Sequence, residues 1–147
     1  MKNVILAVIL SCLPAAATIT QVQSNANWAC TPSSCTTPSF TPTSGLLVVW
    51  TFWQASSGTF SASVTDNATP QPNTFYSTVG PTLQSAASTP TTAQIFYAKK
   101  ISGGNPEFVT VSFAGTGYPT AAGVVVVEYS GADQSNPLDS VSGRVQA

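Results

Sequence analysis

The sequence predicts an all-β fold, a two-sheet antiparallel sandwich of about seven or eight strands with immunoglobulin-like or jelly-roll-like topology. Short apolar or alternating runs recur along the chain with turn-forming residues between them, which is typical of a sandwich or barrel. Only 6% of the residues are charged, against about 25% in ordinary domains. Amphipathic surface helices need charged helix formers, so we expect none. Two sheets packed face to face would bury the apolar residues of these runs.

The first half of the chain contains three predicted strands and one turn region. Residues 19–23 form the first strand. Residues 30–43 are rich in Pro, Ser and Thr, which indicates a turn flanked by weakly paired edge segments. Residues 46–53 (LLVVWTFW) are apolar on both faces, which favours a central strand. Residues 60–66 alternate between apolar and polar side chains, which predicts a strand with Phe60 facing inward.

The second half contains four more predicted strands. Residues 74–79 follow a proline-containing loop at 67–73. Residues 81–92 are polar and rich in Ser and Thr, which predicts a long loop. Turns with Gly and Pro separate the remaining strands. These strands are residues 93–101, residues 107–114 with Val109, Val111 and Phe113 facing inward, and residues 122–130.

We divide the chain into a signal peptide at residues 1–17, a sandwich domain at residues 18–140 and a polar tail at residues 141–147. Lys2, the apolar stretch after it and the alanines that follow have the order of a secretory leader. An alternative is a lipoprotein acylated at Cys12. The tail has the pattern of a further strand, so we expect the chain to be part of a larger, multidomain protein.

Cys30 and Cys35 lie close together in the predicted exported part. Outside the reducing cytosol a close pair of this kind forms a disulfide. The loop between them is short, so the expected stabilisation is modest, on the order of 2 kcal/mol. A metal site would need two further ligands, and the exported part has neither histidine nor a third cysteine to supply them.

The charged residues are few: four basic, five acidic and no histidine, for a net charge of −1. Histidine is the commonest general base near neutral pH, so its absence predicts that the protein is not an enzyme. Lys99 and Lys100 are too few cations for a nucleic-acid footprint. No apolar run is long enough to span a bilayer. We therefore expect a secreted or cell-surface protein without a nucleic-acid partner or a membrane span.

Three stretches carry a resemblance: SVTDNATPQPNTFYSTVGP, QIFYAKKISGGNPEFVTVSF and VVVVEYSGADQSNPLDS. They resemble a recurrent, mostly uncharacterised β-sandwich module of secreted bacterial proteins, over about residues 19–140. The resemblance implies an immunoglobulin-like or jelly-roll-like sandwich in a secreted protein whose chain continues with further strands. Residues 67–73 depart from the module's pattern, because they hold no glycine where a tight turn is usual.

Glu128 is the carboxylate of most chemical interest, because it ends a run of valines. Strand alternation places it on the face of Val124 and Val126, where burial would raise the pKa of its carboxyl group. A glycoside hydrolase needs two such carboxyl groups. The alternative, which we favour, is that the strand has reached the rim of the sandwich, where Glu128 is solvated or paired with Lys99 or Lys100.

Calcium is compatible with a chain that lacks histidine, because it takes oxygen ligands. Asp133, Asn136 and Asp139 place three oxygen-bearing side chains after the last predicted strand. These residue types are also common in turns. We expect no bound cofactor and keep these three residues as calcium candidates.

Aromatic residues give the best argument for ligand binding. Trp50 and Trp53 lie in one strand on opposite faces, so one of them can point away from the core. Tyr118 lies in a Gly-Tyr-Pro loop and is expected to be exposed. Exposed aromatic faces stack on sugar rings, so these three residues are candidate ligand contacts; the alternative is that the rings only pack the core.

We expect a secreted, non-enzymatic β-sandwich module for extracellular or cell-surface attachment, with polysaccharide or cell-surface components as partners. The alternative hypothesis is a carbohydrate-binding module that uses Trp50, Trp53 and Tyr118. A third hypothesis is a glycoside hydrolase that uses Glu128.

Overall fold

A computed structural model describes residues 18–30, 33–55, 60–84 and 89–139 of the chain. The predicted signal peptide with Cys12, and the predicted tail at 141–147, lie outside the described residues. Within the described ranges no helix is present that is long and apolar enough to cross a membrane. The described residues form eight strands: β1 (Thr20–Asn27), β2 (Ser34–Thr36), β3 (Ser44–Gln54), β4 (Phe60–Asp66), β5 (Tyr76–Gln84), β6 (Thr91–Ser102), β7 (Val109–Gly115) and β8 (Ala121–Ser130).

The eight strands form two antiparallel sheets, which confirms the predicted sandwich. The larger sheet has the order β1-β8-β3-β6-β5, and the smaller has the order β2-β7-β4. Strand β1 pairs with β8, β2 with β7 and β3 with β6. Such nested pairing arises when one long antiparallel ribbon folds over on itself, which is the jelly-roll arrangement. The topology is therefore of the jelly-roll type, of the two that the sequence left open.

The core lies between the two sheets and comes from alternate residues of their strands. Successive side chains of a strand point to opposite faces, so every second residue faces the partner sheet. The predicted inward residues of β7 confirm this rule, since Val109, Val111 and Phe113 are all buried. The larger sheet contributes the facing set, which includes Leu47, Val49, Trp53, Phe96, Ala98, Val124 and Val126.

Strand β1 extends beyond the five residues predicted. The prediction was too short because the inward side chains of the strand are polar, so its sequence lacks the apolar signal of a buried face. Gln23, Asn25 and Asn27 donate side-chain hydrogen bonds to the carbonyl groups of residues 41, 38 and 36. These amides satisfy the backbone of the segment that leads from β2 to β3. A polar strand is stable here because its inner face is hydrogen-bonded rather than packed.

Strand β5 also departs from the prediction, since it continues to Gln84 through the first residues of the loop predicted at 81–92. It contains Pro81, which has no N–H to donate to a ladder. A proline is tolerated because β5 is an edge strand that pairs only with β6. Two register shifts in this pairing, around Val79, accommodate the irregular stretch.

Cys30 and Cys35 form a disulfide, as predicted, with their Cα atoms 4.7 Å apart. The bond joins the segment that follows β1 to Cys35 of β2. It therefore links the two sheets, because β1 belongs to the larger one and β2 to the smaller.

Candidate functional site

The outer face of the larger sheet, which points away from the smaller sheet, is apolar along its middle strands. In β3 the alternation that buries Leu47 and Val49 places Val48, Trp50 and Phe52 outside. Residues paired across an antiparallel ladder share a face. The outer face therefore also includes their partners on β6 and β8: Ala93, Ile95, Tyr97, Gly123, Val125 and Val127.

Three aromatic rings meet at one end of this face, and we call Trp28, Trp50 and Phe52 the aromatic cluster. The ring centroids are 6.0 Å apart for Trp28 and Trp50, 5.8 Å for Trp28 and Phe52, and 5.6 Å for Trp50 and Phe52. Trp28 is 59% exposed and Trp50 is 38% exposed. Aromatic pairs in this distance range attract each other, so the rings hold one another in place on an open surface.

Gly123 lets the rings of the aromatic cluster lie close to the backbone of β8. A Cβ atom at this position would lie 2.5 Å from Cε1 of Phe52 and 2.9 Å from Cε3 of Trp28. Those distances are shorter than carbon–carbon van der Waals contact, so a side chain at position 123 would displace the rings. A glycine within a valine-rich strand marks a close approach of this kind.

The structure separates the three aromatic residues singled out from the sequence. Trp50 belongs to the aromatic cluster. Trp53 is 2% exposed and packs in the core against Phe113, with ring centroids 5.6 Å apart, so a ligand cannot reach its ring. Tyr118 is 67% exposed in the loop between β7 and β8. Among the described residues no ring contact joins Tyr118 to the aromatic cluster.

Sequence reasoning missed Trp28 as a member of the cluster. Phe52 shares a strand face with Trp50, so period-2 alternation alone places the two rings side by side. Trp28 lies just after β1, and its position beside the other rings depends on the pairing of β1 with β8, which the local pattern does not give. The sequence signal for rings packed close to β8 was Gly123, the isolated glycine in the run AAGVVVV.

Glu128 does not lie at a solvated rim, which corrects the expectation that we favoured. Its side chain is 1% exposed. Oε1 accepts hydrogen bonds from the backbone N–H of Thr43 at 2.8 Å and from its hydroxyl at 2.7 Å, and Oε2 accepts one from Nε2 of Gln23 at 2.6 Å. Three donors fit a carboxylate, which can only accept hydrogen bonds. Neither lysine is among these partners; the donors come from β1 and the segment before β3.

Glu107 is a second buried carboxyl group, which the sequence did not bring to notice. It is 1% exposed, and its backbone pairs with that of Phe40 in an isolated bridge. Burial raises the pKa of Glu107 to about 7, and the negative charges of Asp66 and Glu128 add to the rise. Both glutamates lie inside the sandwich, where a polysaccharide chain cannot reach them.

The calcium candidates lie in the turn region after β8. Oδ1 of Asp133 accepts a hydrogen bond from the backbone N–H of Ser135 at 2.7 Å. Hydrogen bonds from the backbone of Ser135 and Asn136 lower the pKa of Asp133, and the nearby charges of Lys99 and Lys100 lower it further. Asp139 is exposed. In the described ranges no group of three or more His, Cys, Asp or Glu side chains is placed to hold a metal ion.

In comparisons with known proteins, no family model, no curated protein and no solved structure matches this chain. The resemblance to a module of secreted bacterial proteins stays a prediction.

Proposed function

We propose that this protein is a secreted, non-enzymatic attachment module that binds a polysaccharide through the outer face of its larger sheet. The observation that carries the proposal is the aromatic cluster: three contacting rings, two of them exposed, on an open apolar sheet face. Exposed apolar patches on otherwise polar proteins mark binding surfaces.

The shape and chemistry of the face support a sugar polymer as the ligand. The apolar C–H faces of a pyranose pack against aromatic rings, and Trp offers the largest such area for little loss of side-chain entropy. A sheet presents its side chains in rows, so several consecutive sugar units can lie across adjacent strands. Ser24 and Thr82, near the edges of the face, offer hydroxyl groups for hydrogen bonds with sugar hydroxyls.

The test is a polysaccharide retention assay with the purified protein and two single variants, Trp28→Ala and Trp50→Ala. We expect the unmodified protein to be retained, and each variant to lose at least about tenfold in affinity, equivalent to about 1.4 kcal/mol. Phe108→Ala is the matched control, because Phe108 is an aromatic residue 40% exposed that lies beside β7 of the smaller sheet. It should bind as the unmodified protein does.

Two results would contradict the proposal. One is that no soluble or insoluble polysaccharide retains the unmodified protein. The other is that retention occurs but the tryptophan variants bind as well as the Phe108→Ala control. Circular dichroism of each variant establishes that it is folded before its binding is compared.

A further inference from the structure

A groove of about 410 Å³ lies where the start of β5 meets the end of β6. Its lining includes Tyr76 from β5, Lys99 and Lys100 from β6, and the amide side chains of Gln71 and Asn73 from the loop before β5. Tyr76 pairs with Tyr97 across the ladder, and Tyr97 is on the outer face. The groove therefore continues the surface that carries the aromatic cluster.

A β-bulge places both lysines on the outer side of β6. Gly45 on β3 pairs with Ile101, whereas the next residue, Leu46, pairs with Lys99, so Lys100 has no partner in the ladder. Simple alternation would send the side chain of Lys100 into the core and that of Ile101 out. Instead Ile101 is buried and Lys100 is exposed. The extra residue thus brings two adjacent cations to the same face.

The bulge is held in place by hydrogen bonds and forms part of the groove. Lys100 has a φ of 57°, in the left-handed region that residues with a side chain seldom adopt. Its backbone N–H, which lacks a ladder partner, donates to Oε1 of Gln134 at 2.8 Å. Nζ of Lys99 donates to the carbonyl of Ser135 at 2.7 Å. The turn after β8 therefore supports both lysines.

The opposite wall of the groove is the loop before β5, and Asp66 holds this loop through Asn73. Oδ1 of Asp66 accepts from the backbone N–H of Asn73 at 2.9 Å, and its Oδ2 accepts from Nδ2 of the same residue at 2.7 Å. Tyr76 is 44% exposed and rests against Tyr97, with ring centroids 5.4 Å apart. The groove thus offers an exposed aromatic ring next to two ammonium groups.

The charge of the groove is opposite to that of the protein as a whole. The chain carries a net charge of −1 and has a pI near 4.9. Lys99 and Lys100 are the only cationic side chains in the described ranges, and both line this groove. Asp133 senses the charges of both lysines, and its own backbone hydrogen bonds already stabilise its negative charge. An anionic ligand would be attracted to this part of the surface and repelled by the rest.

We propose that the groove binds the carboxylate of a uronic acid unit, so that the polysaccharide held by the outer face is an acidic one. This inference rests on the proposed function and names its ligand class. The ammonium groups of Lys99 and Lys100 pair with the sugar carboxylate, and the ring of Tyr76 packs against the sugar. The amides of Gln71 and Asn73 bind its hydroxyl groups.

The experiment compares the binding of uronate polymers (polygalacturonate, alginate and hyaluronate) with that of neutral polymers (methyl-esterified pectin, cellulose and chitin). We expect at least one uronate polymer to bind at least about fivefold more tightly than every neutral one. Its binding should weaken as the salt concentration rises from about 20 to about 300 mM, because the lysines are at the surface. Dextran sulfate, added as a competitor, separates a carboxylate preference from a general preference for anions.

The variants are chosen to keep the bulge intact. Lys100→Asn removes the charge with a residue that tolerates positive φ, and Lys100→Arg keeps the charge. Lys99→Gln is a second charge deletion at a residue with an ordinary backbone. We expect Lys100→Asn and Lys99→Gln each to lose about fivefold in uronate affinity and about half of the salt dependence, while Lys100→Arg keeps the salt dependence.

The outcomes separate this inference from the proposed function. If no polymer of either kind binds, both are overturned. If polymers bind and Trp50→Ala abolishes binding, but uronate polymers have no advantage or the charge deletions have no effect, only the present inference is overturned. Stronger binding of dextran sulfate than of every uronate polymer would also overturn it.

Discussion

Glu107 and Glu128 are both buried inside the sandwich and differ in their hydrogen bonding. The carboxylate of Glu128 accepts three hydrogen bonds from Gln23 and Thr43, whereas Oε1 of Glu107 has no partner among the described residues. The negative charge of Glu128 adds to the rise in the pKa of Glu107. Glu107 is therefore better satisfied with a proton on its carboxyl group, because burial and a neighbouring negative charge both oppose its ionisation.

The first prediction is that the protein loses stability as the pH rises through neutrality. The pKa of Glu107 is about 7 in the folded protein, against an ordinary value of 4.5. The folded state therefore binds the proton more tightly, so the stabilisation is complete below pH 4.5 and is lost as the pH rises through about 7. The loss is about 3 kcal/mol at full ionisation. Urea unfolding at about pH 5 and about pH 8 measures it.

Glu107→Gln is the variant that tests this assignment. A neutral amide cannot ionise, so the variant should lose most of the pH dependence and be the more stable protein at pH 8. At pH 5 the two proteins should be about equally stable. An unchanged slope of stability against pH in the variant would show that another group is responsible.

The second prediction concerns Glu128, for which the same substitution has the opposite effect. Glu128→Gln replaces an acceptor oxygen with an NH₂ group that faces the donor of Gln23 or the donors of Thr43. We expect a loss of about 2 kcal/mol in the free energy of unfolding. The backbone N–H of Thr43 should exchange faster with solvent in hydrogen-exchange NMR. Equal protection of Thr43 in the variant and the unmodified protein would contradict this role.

The third prediction is that Gly123→Ala disturbs the aromatic cluster without unfolding the protein. The added methyl group lies where the rings of Phe52 and Trp28 now lie, so the rings must move. Overpacking of this kind costs about 1–3 kcal/mol. Tryptophan fluorescence should shift and polysaccharide retention should fall. Val127→Ala, in the same strand and on the same face but beside Val48, is the control and should leave the emission spectrum unchanged.

The fourth prediction is that the two tryptophans of β3 have separate roles. Trp53→Ala empties part of the core and should cost about 3–5 kcal/mol. Trp50→Ala removes an exposed ring and should cost about 1 kcal/mol while abolishing polysaccharide retention. Chemical denaturation together with retention of each folded variant measures both effects. Similar destabilisation by the two substitutions would contradict the assignment of Trp50 to the surface.

The sequence predicted those features that depend on local pattern. Alternation identified β4 with its observed bounds and the inward residues of β7, and the spacing of Cys30 and Cys35 predicted their disulfide. It did not predict features that depend on which strands pair. The cluster needs Trp28 beside Phe52, which only the pairing of β1 with β8 provides.

The burial of Glu128 was missed for a related reason. An acid at the end of a strand is normally solvated, and the donors that make its burial tolerable come from Gln23 and Thr43, more than 80 residues away in the chain. The position of Lys100 was missed because a bulge breaks the alternation on which the reading of a strand depends.

The bulge shifts the alternation of side chains in β6 by one residue. Lys100 has no ladder partner and separates two registers. Each residue after it points to the face opposite the one that uninterrupted alternation through Lys100 would give. Deletion of Lys100 would remove the bulge and leave Lys99 outside and Ile101 inside, as consecutive partners of Leu46 and Gly45. The extra residue therefore adds a second cation to the outer face and leaves every other side chain of β6 on the face that a strand without the bulge would give it.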